Sequence, residues 1–255
     1  MHNKKRLSTI ISVILLGIIA VGFLFPFVWM VATSLKPTTE VFSLSPTGSR
    51  IAWDNYPSAL NSIPFGRVVL NSFIVSLAGA ALVVVVSVLS AYAFARLRFK
   101  GRDHLFMLFL GTLVLPQEVL VIPLYIGMQR MGLVNSYFAL IVPFAFGAFG
   151  AFLIRQFLMS LPLEFEEAAR IDGCSDWKIL TKILLPLLKA PITVVGVFAF
   201  IDYWSAFLWP LIVVNDSTLA TIPLGLQMFS GERGTDWGPL MAAVTMTTIP
   251  SILLV

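Results

Sequence analysis

Long apolar runs and short polar breaks alternate along this chain. A run of about 20 apolar residues crosses the hydrocarbon core of a bilayer as a helix. The pattern predicts such helices at about 11–33, 71–95, 105–128, 137–158, 192–214 and 238–255. The first run, Leu7 to Thr33, follows His2, Lys4, Lys5 and Arg6. It exceeds the roughly 7–15 apolar residues of a signal peptide and has no clear A-x-A site, so it reads as an uncleaved span. Pro116 and Pro123 fall inside the third run, where Pro116 frees a backbone carbonyl and is expected to bend the helix; Pro143, Gly147 and Gly150 fall inside the fourth. No charged tail closes the sixth run, so the chain is expected to continue past Val255. The expected fold class is all-α: a polytopic membrane protein with six transmembrane helices in a single domain, residues 1–255.

Composition agrees. The chain is 58% hydrophobic and 12% charged, where a soluble domain carries about a quarter charged residues. Its mean hydropathy is +0.92. The net charge of +4 is no nucleic-acid signal, because the bases sort by membrane side. Of the 17 Lys and Arg, only Lys36, Arg50, Arg67, Arg130 and Arg233 fall outside the amino terminus, the 96–102 loop and the 155–189 region. Positive residues stay on the cytoplasmic side. The amino terminus is therefore expected inside, and the 34–67 and 215–237 loops outside. The single cysteine, Cys174, excludes an internal disulfide and reads as a small residue in a turn.

The longest polar interruption of the second half runs from Ser160 to Ile192, between the fourth and fifth spans. It reads as two short helices and a turn. Pro162 suits a first helical position. Glu164, Glu166 and Glu167 then occupy the opening turns, where the helix dipole favours them. Asp172-Gly173 stops the first helix, since glycine accepts the left-handed conformation of a C-terminal cap. Ser175 suits the cap of the second helix. Pro186 and Pro191 break or kink the chain beyond it.

Polar groups inside the spans are few. Glu118 lies in the third, beside Gln117. A carboxylate there must be solvated, paired or protonated, so it faces a cavity or a partner subunit. Asp202 lies in the fifth, early in the run. Its neighbours Tyr203 and Trp204 look interfacial, which also suits a snorkelling boundary residue. Asn71-Ser72 heads the second span, and its plain reading is a helix cap. No Walker phosphate loop occurs. His2 and His104 are too few and too far apart for a zinc site. No catalytic residues and no bound cofactor are expected, so the chain is not expected to hydrolyse ATP itself.

Glu167-Ala168-Ala169, Gly173, Ile183, Leu185 and Pro186 keep the spacing of the pattern E-A-A-x3-G-x9-I-x-L-P. The stretch resembles the cytoplasmic coupling loop of permease subunits of binding-protein-dependent ABC importers. Its fuller wording, EEAARIDGCSDWKI, looks most like the carbohydrate-uptake group. The resemblance implies a type I ABC importer permease fold in a prokaryotic cytoplasmic membrane, with residues 160–190 as the coupling loop. Glu167, Ala168, Ala169, Arg170, Asp172, Gly173, Ile183, Leu185 and Pro186 are the implied coupling residues. The two alanines would allow close approach to an ATPase groove, and Ile183, Leu185 and Pro186 would anchor the second helix.

The implied partners are a second homologous permease, two ATPase subunits that bind ATP and Mg, an extracytoplasmic solute-binding protein and membrane lipid, with no nucleic acid. The implied cargo is a sugar, an oligosaccharide or a glycerol-phosphate-type solute. Asn71, Gln117, Glu118 and Asp202 are candidates for the translocation path. Relatives often carry an amide and an acid after the tryptophan at 204, where this chain has Ser205 and Ala206. The alternative is an ion-gradient-driven secondary transporter or channel using Glu118 and Asp202.

Overall fold

The computed structural model describes residues 2–45, 47–231 and 234–254. Met1, Pro46, Arg233 and Val255, which figure in the expected spans and loops, lie outside the described residues. So do the side chains of His2, Lys4, Lys5 and Arg6.

In chain order the helices are α1 (His2–Ser34), α2 (Asn55–Ser62), α3 (Phe65–Arg96), α4 (Arg102–Gly111), α5 (Gln117–Arg130), α6 (Tyr137–Ile141) and α7 (Ala148–Ser160). They continue with α8 (Glu164–Ile171), α9 (Asp176–Lys178), α10 (Leu185–Leu187), α11 (Lys189–Ser205), α12 (Leu208–Val213), α13 (Ile222–Gln227) and α14 (Trp237–Leu254). Among the described residues the regular structure is otherwise helical, and the exception is the antiparallel pair β1 (Ser230–Gly231) and β2 (Gly234–Thr235), in the register Ser230 opposite Thr235.

Among the described residues two helices are long and apolar enough to cross a membrane unbroken, Ile11–Ser34 within α1 and Phe65–Arg96, and up to five spans result if each bent pair counts as one. α3 starts six residues before the expected Asn71. At a rise of about 1.5 Å per residue it is about 48 Å long, well beyond a hydrocarbon core of about 30 Å.

The third span, expected to bend at Pro116, is broken there. α4, a 3₁₀ turn at Thr112–Val114 and α5 meet at a bend of 102°. The residue before a proline is driven away from helical geometry. Leu115 accordingly lies at φ −78°, ψ 120°, and Pro116 caps α5 instead of sitting inside a helix. The expected fourth span also divides, into α6 and α7. Ser136 Oγ caps α6 by accepting from Ala139 N–H, and Gly147 is extended at φ −69°, ψ 143°. The fifth divides after Ser205, where Ala206 turns extended at φ −61°, ψ 123°. Hydropathy sees none of these breaks, because the residues at them are themselves apolar.

The chain forms two units, residues 1–66 with 225–253, and residues 67–224 with 254–255. In the first, Asn55 Nδ2 donates to the carbonyls of Ser34 (2.8 Å) and Lys36 (2.9 Å) and so closes the carboxyl end of α1. Lys36 is fully buried. Its Nζ donates to the Ser43 carbonyl (3.0 Å) and lies 4.6 Å from the Trp29 ring centre. Gly238 lets α14 approach this corner, since a Cβ there would stand 2.6 Å from Asn55 Oδ1. Glu40 accepts from the Ser49 hydroxyl and N–H, which hold its carboxyl below the usual range.

The second unit has two apolar cores. One joins Val88, Ala91, Ile154, Leu158, Ile179 and Leu184. The other joins Val75, Val121, Leu140, Tyr203, Trp209 and Val213. Two glycines permit the packing between helices. A Cβ on Gly79 would meet the Tyr203 ring at 2.5 Å, and one on Gly150 would meet Ser87 Oγ at 2.2 Å. Arg155 ties α7 to α4, lying 4.2 Å above the Phe106 ring.

Candidate functional site

α8 begins two residues later than Pro162 suggests. Leu163 is already helical, and its carbonyl accepts from Glu166 N–H (2.9 Å) and Glu167 N–H (3.0 Å). Glu164, Glu166 and Glu167 fill the first turn as expected. At the other end Gly173 takes φ +77°. Gly173 N–H donates to the Arg170 carbonyl (3.0 Å) and Cys174 N–H to the Ala169 carbonyl (2.9 Å). This is a Schellman cap, which satisfies carbonyls that α8 leaves orphaned. Beyond its two chain neighbours, no atom of the described residues lies within 4 Å of a Cβ added at Gly173, so backbone conformation rather than space requires the glycine. Arg170 Nη2 bridges the turn to Asp176 Oδ1 at 2.7 Å. Asp172, the last residue before the glycine, is exposed.

The faces of α8 differ. Glu167 and Ala168 point outward, whereas Glu166 and Ala169 are buried. The expectation that both alanines offer a smooth surface to a partner is therefore corrected: Ala169 packs into the core against its neighbours, one position round the helix from Ala168. Around the outward face Phe165 is 51% exposed, Ile171 87% and Trp177 66%. Sequence reading missed these three, although large apolar groups in a polar stretch are a readable signal of an unpartnered surface.

Glu166 turns inward to a buried partner. Arg96 Nε donates to its Oε1, and Arg96 Nη2 donates to the carbonyls of Leu158 (2.7 Å) and Leu161 (3.3 Å). The carboxyl ends of α3 and α7 are thereby joined to the first turn of α8. No local signal marks this pairing in the sequence.

The second helix is not uniform. α9 runs into a π-helical turn at Ile179–Leu184 and then α10. Pro186 has no N–H to return to Lys182, which favours the wider turn. Ser175 Oγ caps α9 weakly, accepting from Lys178 N–H at 3.4 Å. Ile183 and Leu185 pack against the core, but Pro186 is exposed, so its contribution is to shape the turn and not to anchor it. An 81° bend at Leu188 then leads into α11, with Pro191 in the opening turn.

A cavity of about 410 Å³ opens in the second unit. Gln117, Glu118 and Asp202 line it, together with Phe149, Phe198 and Phe207. Glu118 stands in the first turn of α5 and Asp202 three residues before the end of α11, not early in a span. Tyr203 and Trp204 are buried within the protein. Ser205 and Ala206 line the same cavity.

Asn71 lies elsewhere. It is buried inside α3, six residues past the helix start, so it is neither a helix cap nor a cavity residue. Its Nδ2 donates to the carbonyls of Thr218 and Ala220 (both 2.9 Å), and its Oδ1 accepts from Tyr137 Oη (2.7 Å). Ser72 Oγ accepts from Ile222 N–H at 2.7 Å. The pair thus fastens the 217–222 segment. Just before that segment Asp216 accepts from Thr218 N–H, which holds its carboxyl below the usual range.

A family model described as "binding-protein-dependent transport system inner membrane component" matches residues 83–255. The chain belongs to this family. The permease is 38% identical to the sn-glycerol-3-phosphate transport system permease protein UgpE of Pectobacterium atrosepticum, over 100% of this chain and 94% of that one. It is 31% identical to the lactose transport system permease protein LacG of Rhizobium radiobacter, over 98% and 92%. Its fold is similar to that of a chain in a bacterial ABC transporter involved in the import of the acidic polysaccharide alginate, with TM-score 0.84, 23% identity, and coverage of 98% of this chain and 94% of that one. The permease is thus a membrane-embedded subunit of an ABC importer, and the ion-gradient alternative falls away. The family is one of transport permeases, not of enzymes.

Proposed function

We propose that this permease forms half of the translocation path for a sugar, an oligosaccharide or a glycerol-phosphate-type solute. A second homologous permease completes the path. Two ATPase subunits, which bind ATP and Mg, dock against α8, and a solute-binding protein delivers cargo from the extracytoplasmic side. The chain crosses a prokaryotic cytoplasmic membrane six times, some crossings being broken helices, with its amino terminus and the 160–190 stretch in the cytoplasm.

One observation carries the coupling role. The outward face of α8 presents Glu167 and Ala168 beside the exposed Phe165, Ile171 and Trp177, while Glu166 ties its inner face to Arg96. A short helix rigidly joined to two longer ones can pass a movement at its outer face to the cavity. ATP binding and solute delivery would then bias two states of the path. The named relatives support the cargo class: their own cargoes are glycerol-3-phosphate and lactose.

Reconstitution tests the reading. Proteoliposomes with both permeases, the ATPases and the binding protein should show ATP-dependent uptake that vanadate abolishes and a protonophore spares. A cysteine replacing Asp216 should react with an impermeant thiol reagent in intact cells, and native Cys174 should not. Uptake that tracks the proton gradient, or the opposite labelling, would sink the proposal.

A further inference from the structure

The cavity has an uneven chemistry. Among the described residues, its charged lining side chains are Glu118 and Asp202, and no Lys, Arg or His lines it. Neither carboxylate has a hydrogen-bond or ion-pair partner among the described residues, in contrast to Glu166. Gln117 adds an amide beside Glu118 and Ser205 a hydroxyl beside Asp202. Phe149, Phe198 and Phe207 stand in the mostly apolar remainder of the lining at 48%, 53% and 40% exposure. The Phe149 and Phe198 rings meet edge to face, with centres 6.1 Å apart. The volume falls within the range of about 300–1,000 Å³ of small-molecule sites, where apolar walls carry a few placed polar groups.

We infer that this cavity selects an uncharged polyhydroxylated solute and turns away phosphate- and carboxylate-bearing ones. The inference rests on the importer reading above and narrows its cargo. Carboxylates accept hydrogen bonds from hydroxyl groups, and charge-assisted bonds of this kind are short and strong. Phenylalanine faces cover the C–H surfaces of a sugar ring without competing for its hydroxyls. Both carboxylates are exposed to the cavity, and a phosphate or uronate in the same place would meet two like charges. The cargo of the 38%-identical glycerol-3-phosphate permease is therefore not carried over to this chain.

The test uses the reconstituted complex and two readouts. The first is ATP-driven uptake of lactose and maltotriose against sn-glycerol-3-phosphate and galacturonate. The second removes the binding protein's own preference. A cysteine replaces Ser205 in a Cys174→Ala background, and its labelling by an anionic and a neutral methanethiosulfonate is compared. Uptake of the neutral sugars should exceed that of the anions at least 10-fold. Anionic labelling should be slowed about 10-fold relative to neutral labelling, and Glu118→Gln with Asp202→Asn should remove most of that difference. Preferred uptake of an anion, or a labelling ratio unchanged in the double variant, would overturn the inference while leaving an ATP-driven importer in place. No ATP-driven uptake of any solute would overturn the importer reading, and this inference with it.

Discussion

Arg96 and Glu166 form a buried ion pair across 70 residues of chain, with side chains 7% and 5% exposed. Two further Arg96 bonds, to Leu158 and Leu161, make the guanidinium the point where α3, α7 and α8 meet. Breaking a buried pair leaves a charge without compensation, at a cost of about 3–5 kcal/mol. Arg96→Ala should lose about that much. Glu166→Gln keeps an acceptor and should lose less. Arg170→Ala removes a half-exposed pair and should cost no more than about 1 kcal/mol. Thermal unfolding of the purified complex measures the order, and equal losses at all three sites would show that the pair is no anchor.

Gly150 tests the packing of α7 between α3 and α11. A methyl there meets Ser87 Oγ at 2.2 Å and Val195 Cγ1 at 2.9 Å. Overpacking of this kind costs about 1–3 kcal/mol. The Ser87 hydroxyl is buried without a partner among the described residues, so Ser87→Ala alone should be neutral or slightly stabilising. In a double-mutant cycle Ser87→Ala should recover part of the Gly150→Ala loss. Strict additivity would mean that the two helices separate freely at this point.

Legibility in the sequence depends on the range of the interaction. The end of α8 was legible because an Asp-Gly turn is a local conformational matter. The long apolar runs were legible as membrane segments, since hydropathy sums over a window. The bend at Leu115 was legible from Pro116, although not its size, whereas the breaks at Gly147 and Ala206 were not, because a broken helix made of apolar residues has the same hydropathy as a straight one. Glu118 and Asp202 were found by their cost in an apolar run, but nothing local brings them to one cavity. Arg96 was read only as a positive-inside residue, its partner being far along the chain. Ala168 and Ala169 look alike in a motif, and only the helix register separates the exposed one from the buried one.

Asn71 was expected near the path and instead fastens a loop, which makes a distinct prediction. Asn71→Ala leaves the Thr218 and Ala220 carbonyls and the Tyr137 hydroxyl without their partner. Each buried polar group left unpaired costs about 1–3 kcal/mol. The variant should lose stability, expose the 217–222 segment to hydrogen exchange and keep its preference among solutes. Tyr137→Phe breaks one bond of the three and should be milder. A change of solute preference without loss of stability would return Asn71 to the path.

Gly173 gives the sharpest test of the coupling stretch, because its φ of +77° and the open space around it separate two causes. Steric crowding predicts that size matters, whereas backbone conformation predicts that tolerance of the left-handed region matters. Asparagine enters that region more readily than alanine, for which it costs about 1–2 kcal/mol, and a β-branched residue is worse. Coupling should therefore fall in the order Gly, Asn, Ala, Val, although alanine is smaller than asparagine. Membrane insertion should survive in all four, since it depends on apolar length and flanking charge. Solute binding to the separate binding protein should also be untouched. Gly173→Val should unwind the Schellman cap and swing α8 away from its partner, so that solute-stimulated ATP hydrolysis and uptake drop together. Glu167→Lys should reproduce that loss by reversing charge on the exposed face, with the cap intact. If a purified complex carrying Gly173→Val keeps wild-type stimulation and uptake, the 160–190 stretch does not transmit the ATPase movement.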